Sequence, residues 1–508
     1  MNKSFYFLFF LFVLSTCDAC SASVPATLIK LSKQKTFKVG CKYQPIFAAN
    51  TIALSGRYIH QQTIVANKIS NLVFSGFKLP KPPVAFDYVT ALKKVTDVMV
   101  NDVASPVSAS RYYAYITLAA YETQSLFDTV NYPSLAGRIN KFSKPFRDYA
   151  LIPFSNESLA VILAVFITGQ KLLPSGYLLV SNIDSIAKLY SGNANAQLVY
   201  KNTFVLVTEL VNAILLYAKA DGFARLNNLK RYTPKIEIGY WKPTPPVFMA
   251  PIEPNWKTLR TFLIDSAQQF KVVPPAKFDT AHNSSFYTQL MEVYNITNTA
   301  NTFQKNIAMF WDCNPFAVQQ IGHVEFGIKK ISPGGHWMGI TGIACLKNHL
   351  SLGKTIFAHV IISITLADGF IACWDEKYRS NRVRPETAIQ KLIDPRWHPL
   401  LQTPPFPEYI SGHSVASTAA AIILTKIFGE NFSYADDTEV EFGLPVRVYK
   451  SFFEAASEAA NSRLYGGIHF RDAIEQGEWQ GREIGEFVSN KFNLKYIFLK
   501  ILVSKHGH

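Results

Sequence analysis

Apolar positions recur at steps of three and four residues along most of the chain, the spacing of amphipathic helices. This pattern is clearest in the first half over Tyr88–Val103 and Ser108–Phe127, and it continues over 157–172, 195–220, 258–270 and 283–311. Loops rich in proline, asparagine and glycine separate these stretches, and alternating strand patterns are few. The first half is therefore predicted to be helical.

The second half contains an unusually apolar stretch at Leu352–Cys373. It includes Lys354, His359 and Asp368, and a membrane span rarely tolerates three such groups. We therefore expect a buried helix and no transmembrane span in the mature chain. Further helices are predicted over 414–428, 448–465 and about 469–490. The predicted fold class is all-α, a large helical protein of one or two bundles.

The N-terminus resembles an export signal, with Lys3 before the apolar run Phe5–Leu14 and small residues after it. Ten helical residues rise only about 15 Å, half the thickness of the hydrocarbon core, so this run is not a membrane span. A buried N-terminal helix is the alternative. A weak lipoprotein-type sequence makes lipid anchoring at Cys17 a minor alternative. We expect an exported protein, periplasmic or extracellular.

The chain is divided by these patterns into four segments. They are a signal peptide (1–23), a loosely packed N-terminal segment (24–85), an N-terminal helical half (86–300) and a catalytic helical bundle (301–495).

Composition narrows the function classes. Apolar residues make up 48% of the 508 residues and charged residues 17%, which excludes a disordered or fibrous protein. The net charge of +15 favours anionic partners. The basic residues are scattered without a run of five, so nucleic acid is not an expected partner. After signal removal four cysteines remain, and they form no CxxC pair, so a zinc site of the usual spacing is not predicted (Cys41, Cys313, Cys345 and Cys373). Their thiols are either buried or joined in one disulfide.

Three segments place basic and polar groups within apolar sequence: 374–385, 404–413 and 462–472. In the second, Ser411, Gly412 and His413 immediately precede a predicted helix, whose N-terminus suits an anion. Gly412 lets the backbone approach a ligand, and His413 is placed to donate a proton. The alternative is a serine cap beside a surface histidine.

In the third segment, Arg463 ends one predicted helix and His469 begins the next. Asp472 lies three residues after His469, so its carboxylate could share a helix face with the imidazole and hold its tautomer. Alternatively, Asp472 interacts with the helix dipole. Positions 473, 477, 481 and 485 are alanine or glycine, so a neighbouring helix can approach this face closely and His469 is expected to point inward.

The order and spacing of these residues resemble the signature of vanadium-dependent haloperoxidases and the type 2 phosphatidic acid phosphatase superfamily, in particular the soluble bacterial haloperoxidase-like branch. The matching blocks are Lys377, six residues, Arg384-Pro385; Ser411-Gly412-His413; and Ser462-Arg463, five residues, His469. Upstream segments that resemble the same branch are Ser110–Glu122, Phe310–Asp312 and Pro333–Trp337.

The resemblance implies a role for each matching residue. Lys377, Arg384 and Arg463 would hold the oxygens of vanadate or phosphate, with hydrogen bonds from Ser411 and Gly412. His469 would be the vanadium ligand in a peroxidase or the nucleophile in a phosphatase. His413 would be the general acid–base, and Lys377 would also polarise bound peroxide.

Two positions depart from the usual pattern: Ile410 stands where most relatives have proline, and Asp472 lies one residue closer to the histidine than in many phosphatases. Trp374 and Phe406 match the aromatic pair of chloroperoxidase-type sites. We therefore expect a vanadate-dependent haloperoxidase that oxidises iodide or bromide with hydrogen peroxide.

The alternative is an exported acid phosphatase or phosphoesterase that acts on a phosphate ester without a cofactor, and a catalytically silent relative is a third reading. Asp312 is the expected carboxylate partner of Arg463, with Asp472 and Asp368 as competitors. The halide preference, the organic substrate and the oligomeric state, a homo-oligomer included, stay open.

Overall fold

A computed structural model describes residues 87–145, 149–321 and 324–494 of the chain. The predicted signal peptide, Cys17, Cys41 and the segment 24–85 lie outside these residues. The described part is predominantly helical, which confirms the all-α prediction. Its α-helices are α1 (Tyr88–Asn101), α2 (Pro106–Phe127), α3 (Glu157–Leu172), α4 (Val180–Leu189), α5 (Ala194–Lys219), α6 (Ser285–Thr299), α7 (Thr302–Phe310), α8 (Pro333–Lys347), α9 (Leu352–Ser380), α10 (Pro385–Leu392), α11 (Gly412–Phe428), α12 (Phe452–Tyr465) and α13 (Arg471–Phe492).

The strands form two short antiparallel pairs. Strand β1 (Val318–Ile321) pairs with β2 (Val324–Gly327), and β3 (Tyr434–Asp436) pairs with β4 (Arg447–Tyr449). Val318 is opposite Gly327, and Tyr434 is opposite Tyr449. Short 3₁₀ helices fill several connections: Tyr149–Phe154, Gly176–Leu179, Tyr190–Gly192, Phe223–Asn228, Trp256–Thr258 and Val440–Phe442.

Helix α9 lies at the centre and packs against α2 and α11. Ala194–Asn228 and Leu352–Ser380 are both long and apolar enough to cross a membrane by length and composition alone. The most apolar window of the second stretch is completely buried inside the fold. Its apolar character therefore agrees with the expected core helix.

Helices α11 and α13 approach each other closely through the small face of α13. A Cβ atom added at Gly481 would lie 2.5 Å from the backbone oxygen of Val415, and one at Gly477 would lie 2.8 Å from that of Ser411. Real Cβ atoms do not come so close, so only glycine permits this spacing. The predicted close approach is confirmed, and it brings the start of α11 next to His469.

One large cluster of buried side chains draws from helices on both sides of residue 300, from α1 to α13. The boundary between 86–300 and 301–495 stays a sequence prediction. The three described cysteines, Cys313, Cys345 and Cys373, are buried free thiols, as the first of the two alternatives expected.

Candidate functional site

The three sequence blocks meet at the ends of five helices. Lys377 lies in the last turn of α9, and Arg384 is the N-cap of α10. Ser411 caps α11, where its hydroxyl accepts a hydrogen bond from the Ser414 N–H. Arg463 lies in the last turn of α12, and His469 precedes α13. Helix N-termini thus supply Arg384, Ser411 and His469, as expected for an anion site, whereas Lys377 and Arg463 bring their positive charges from the last turns of α9 and α12.

His469 is buried and held by a carboxylate on one side. Its Nδ1 lies 2.8 Å from Glu408 Oε1, and its Nε2 lies 3.2 Å from Arg384 Nη1. Because a carboxylate only accepts hydrogen bonds, Nδ1 carries the proton and Nε2 keeps its lone pair. Burial, reinforced by the charges of Arg384 and Lys377, holds the pKa of His469 well below its usual range. His469 is therefore a neutral ligand or nucleophile.

The expected pairing of Asp472 with His469 is wrong. Asp472 instead binds Arg382 through both carboxylate oxygens, at 2.6 and 2.7 Å. His469 lies before α13 and not on it, so the helical spacing of three residues does not bring the two side chains together. Arg382 Nε also donates to Glu408 at 2.6 Å, so Asp472 is connected to the His469 imidazole only through Arg382 and Glu408.

Glu408 is the functional residue that sequence reasoning missed. It is completely buried, and the Phe470 N–H also donates to it at 3.0 Å. The available signal was a carboxylate inside a proline-rich, apolar segment three residues before Ser411. Buried carboxylates are rare unless paired, so this position pointed to a partner without naming it.

Lys377, Arg384 and Arg463 are the three cations predicted to hold the oxyanion, and together they are called the oxyanion cradle. Its two arginines each keep a buried nitrogen without a hydrogen-bond partner among the described residues. Arg384 donates from Nε to the Phe406 carbonyl at 3.0 Å and from Nη1 to that of Ile468 at 2.9 Å, and its Nη2 is unpartnered. Arg463 donates to the carbonyl of Trp311, and its Nε is unpartnered. Burial lowers the pKa of Arg384 to about 9 and also lowers that of Arg463.

His413 contacts the second arginine. Its Nε2 lies 3.0 Å from Arg463 Nη1, which can only donate, so this nitrogen is unprotonated. Burial, and then the charge of Arg463, holds the pKa of His413 well below its usual range. His413 is therefore placed to accept a proton.

A cavity brings six of the predicted residues together: Trp374, Phe406, Gly412, His413, Arg463 and His469. The Trp374 and Phe406 rings pack 4.9 Å apart between centroids. Lys377, Arg384 and Ser411 are not among the lining residues. Arg384 contacts the lining residues Phe406 and His469, and Ser411 precedes the lining residue Gly412.

Lys377 is completely buried and holds the chain that leads into Ser411. Its Nζ donates to the carbonyls of Pro407, Glu408 and Ile410 at 3.1, 3.1 and 2.5 Å. Burial lowers its pKa to about 7. All three donor positions of the ammonium are used by backbone oxygens, which the sequence did not indicate.

The site lies in a part of the chain that resembles known proteins. A family model described as the VCPO second helical-bundle domain matches residues 357–496. The structure of a bacterial vanadium-dependent iodoperoxidase is 42% identical, with a TM-score of 0.76, and the match covers 81% of this chain and 98% of that one. The chain belongs to the vanadium-dependent haloperoxidase family.

Two bacterial vanadium-dependent chloroperoxidase structures share the haloperoxidase fold at lower identity. The apo-type structure has a TM-score of 0.56 and 15% identity, covering 78% of this chain and 95% of that one. The holo-type structure has a TM-score of 0.55 and 14% identity, covering 82% and 97%. A search of curated proteins finds no match.

In this haloperoxidase, Asp312 is confirmed as a carboxylate partner of Arg463 only as an ion pair, and the expected hydrogen bond between them is not formed. Asp312 Oδ1 lies 3.9 Å from Arg463 Nη2, too far for a hydrogen bond, and its other oxygen pairs with Lys330. The Trp311 carbonyl accepts a hydrogen bond from Arg463 Nη1 instead. The competitor Asp368 accepts backbone N–H groups of residues 262–264.

Proposed function

We propose that this haloperoxidase family member is a vanadate-dependent enzyme that oxidises iodide and bromide with hydrogen peroxide. The observation that carries the proposal is a pair of buried guanidinium nitrogens, Arg384 Nη2 and Arg463 Nε, that have no hydrogen-bond partner among the described residues and belong to a site whose cavity Arg463 and His469 line. Buried polar groups are rarely left unpaired, so these nitrogens fit a bound oxyanion. The likeness to an iodoperoxidase supports iodide as the first halide.

Vanadate fits the residues present. Arg384 and Arg463 would hold its oxygens, with donors from the Gly412 N–H and Ser411, and His469 would bind the vanadium through Nε2. The three buried cations would neutralise a multiply charged anion that is otherwise costly to bury. Lys377 would join the cradle by exchanging one backbone carbonyl for a vanadate oxygen.

Bound vanadate supplies the activation of hydrogen peroxide for oxygen transfer to a halide. In this chain, His413 Nε2 would accept a proton from the incoming peroxide, because its lowered pKa keeps it unprotonated near neutral pH, and would return that proton to the hypohalous acid that leaves. Trp374 and Phe406 provide an apolar wall against which a halide sheds water at lower cost. Glu408 keeps the His469 tautomer that presents a lone pair to the cavity.

The test measures iodide oxidation and hydrolysis of an activated phosphate ester on one preparation, with and without vanadate. We expect vanadate-dependent iodide oxidation that His469→Asn abolishes. The matched control is His359→Asn, since His359 is equally buried but bonds to the Thr355 carbonyl outside the cavity, and this variant should keep vanadate-dependent turnover. Efficient vanadate-inhibited phosphatase turnover without iodide oxidation, at any pH from about 4 to 8, would establish the phosphatase alternative instead.

We also propose that the chain is exported through its first 23 residues. The support is the sequence pattern of Lys3, the apolar run and the small residues that follow. Mass spectrometry of the mature protein should find an N-terminus near residue 24 in an extracytoplasmic fraction. An intact N-terminal methionine in the cytoplasmic fraction would contradict export.

A further inference from the structure

A second buried cluster of chemically active side chains lies beside the cavity. Cys313 Sγ lies 3.5 Å from His336 Nδ1, which lies 3.1 Å from Glu439 Oε1, and Cys313 Sγ lies 3.8 Å from the same oxygen. All three side chains are buried. Cys313 also lines the cavity, and the His336 ring stacks on Trp311 at 4.5 Å between centroids.

These distances match those of a tetrahedral metal site. A zinc ion with bonds of about 2.3 Å to sulfur and about 2.0–2.1 Å to nitrogen and oxygen holds its ligand atoms roughly 3.3–3.6 Å apart. The observed separations of 3.1, 3.5 and 3.8 Å bracket that range. One thiolate, one imidazole and one carboxylate are a donor set that suits zinc and leaves its fourth position open.

The outer contacts of His336 also match those of a metal ligand. Its Nε2 lies 2.8 Å from Asp436 Oδ2, and the other oxygen of Asp436 accepts the N–H and hydroxyl of Thr438. A carboxylate on the far nitrogen orients a ligating imidazole and fixes its proton there. Nδ1 faces Cys313 and Glu439, and it becomes the donor atom for a metal once its own proton has left.

We propose that Cys313, His336 and Glu439 bind one Zn²⁺ ion, with water in the fourth position. Coordination requires the Cys313 thiolate and an unprotonated Nδ1, so the protons on these atoms are released as the metal enters. The thiolate and the carboxylate balance the charge of the ion. The three ligands come from the turn after α7, from α8 and from the connection between β3 and β4.

The ion would hold in place the turn that serves the oxyanion cradle. Trp311 precedes Cys313 by two residues, and its ring stacks on His336. Its carbonyl accepts a hydrogen bond from the Arg463 guanidinium. Zinc at this cluster therefore positions Arg463 through the backbone of residues 311–313. Its role is structural and separate from that of vanadate.

The test is the zinc content of the purified full chain, measured after dialysis. This measurement requires no enzymatic assay, so its result does not depend on haloperoxidase activity. We expect about one zinc per chain, lost in Cys313→Ser and in Glu439→Gln. The matched control is Cys345→Ser, which removes another buried thiol outside the cluster and should retain the metal. Asp436→Asn should weaken zinc affinity roughly 10–100-fold.

A second measurement adds cobalt(II) to the metal-free wild-type chain. It uses the wild-type protein alone, so it does not depend on whether any variant folds. A thiolate-to-cobalt charge-transfer band with a tetrahedral visible spectrum supports the site. Absence of both zinc and this cobalt spectrum in the folded wild-type protein would overturn the proposal, as would equal zinc content in wild type, Cys313→Ser and Glu439→Gln.

Discussion

Replacing Glu408 with glutamine changes one oxygen of a buried carboxylate into an amide and alters its volume little. The carboxylate accepts hydrogen bonds from His469 Nδ1 at 2.8 Å, the Phe470 N–H at 3.0 Å and Arg382 Nε at 2.6 Å. Glutamine cannot accept at both ends. An amide nitrogen facing Arg382 sets donor against donor, whereas an amide nitrogen facing His469 requires the imidazole to present its lone pair at Nδ1.

In the second arrangement the proton of His469 moves to Nε2, which removes the lone pair that vanadium needs. Loss of an orienting partner usually costs 10–100-fold in metal affinity, or about 1.4–2.8 kcal/mol. We expect a loss of this size in vanadate affinity. The protein should also lose roughly 1.5–3 kcal/mol of stability with one charge-assisted hydrogen bond, while Asp472 continues to pair with Arg382.

The assay titrates vanadate into the apoprotein and follows iodide oxidation to obtain an apparent Kd, with folding checked by thermal unfolding. Glu386→Gln is the matched control, because Glu386 is also buried but bonds to the Thr403 hydroxyl at 2.5 Å. We expect wild-type vanadate affinity in the control. A folded Glu408→Gln protein that binds vanadate within about twofold of wild type would refute the tautomer argument.

Three further changes test the packing and charge of the site. Gly481→Ala should lower the free energy of unfolding by about 1–2 kcal/mol, since its Cβ would meet a backbone oxygen of α11, whereas Gly334→Ala has room and should not, as thermal unfolding can show. The pKa of Lys377 is about 7 in the folded protein and 10.5 in the unfolded chain, so between these pH values the unfolded chain binds more protons. The free energy of unfolding of the apoprotein should therefore rise with pH over this interval. Denaturant titration at several pH values should show a smaller rise in Lys377→Gln. Phosphate at about 100 times its Kd should stabilise the wild-type apoprotein by about 2.7 kcal/mol in the same measurement, and Arg463→Met should remove most of this gain.

Sequence reasoning found the residues whose spacing along the chain is fixed by helices. The small face of α13 follows a four-residue step, and this step alone predicted a close contact with a neighbouring helix, which the structure identifies as α11. The segment around Ser411 was interpreted as an anion site because a predicted helix N-terminus and a glycine mark it locally, whereas the roles of Arg384 and His469 followed from the resemblance of their spacing to the haloperoxidase signature. The all-α fold followed from periodicity that extends over most of the described chain.

Contacts between distant segments could not be predicted in the same way. Glu408 meets His469 across 61 residues of sequence, and no local pattern sets that distance. Asp472 was chosen on helical spacing, but an arginine from another segment binds it first. The proposed zinc ligands at 313, 336 and 439 likewise share no motif, because each comes from a separate segment of the fold.

The ligand-free site combines buried positive charge with neutral imidazoles, and the two properties are coupled. Arg463 lowers the pKa of His413, and Arg384 lowers that of His469, each in addition to the effect of burial. An anion in the cradle offsets these charges, so it should raise the pKa of His413, whereas the Nε2 lone pair of His469 would be used to bind vanadium. His413 then holds a transferred proton more readily when the oxyanion is present than when it is absent. The same charges that select the anion thereby make proton uptake at His413 Nε2 depend on anion binding. Acid–base chemistry by His413 is in this way coupled to the occupied site.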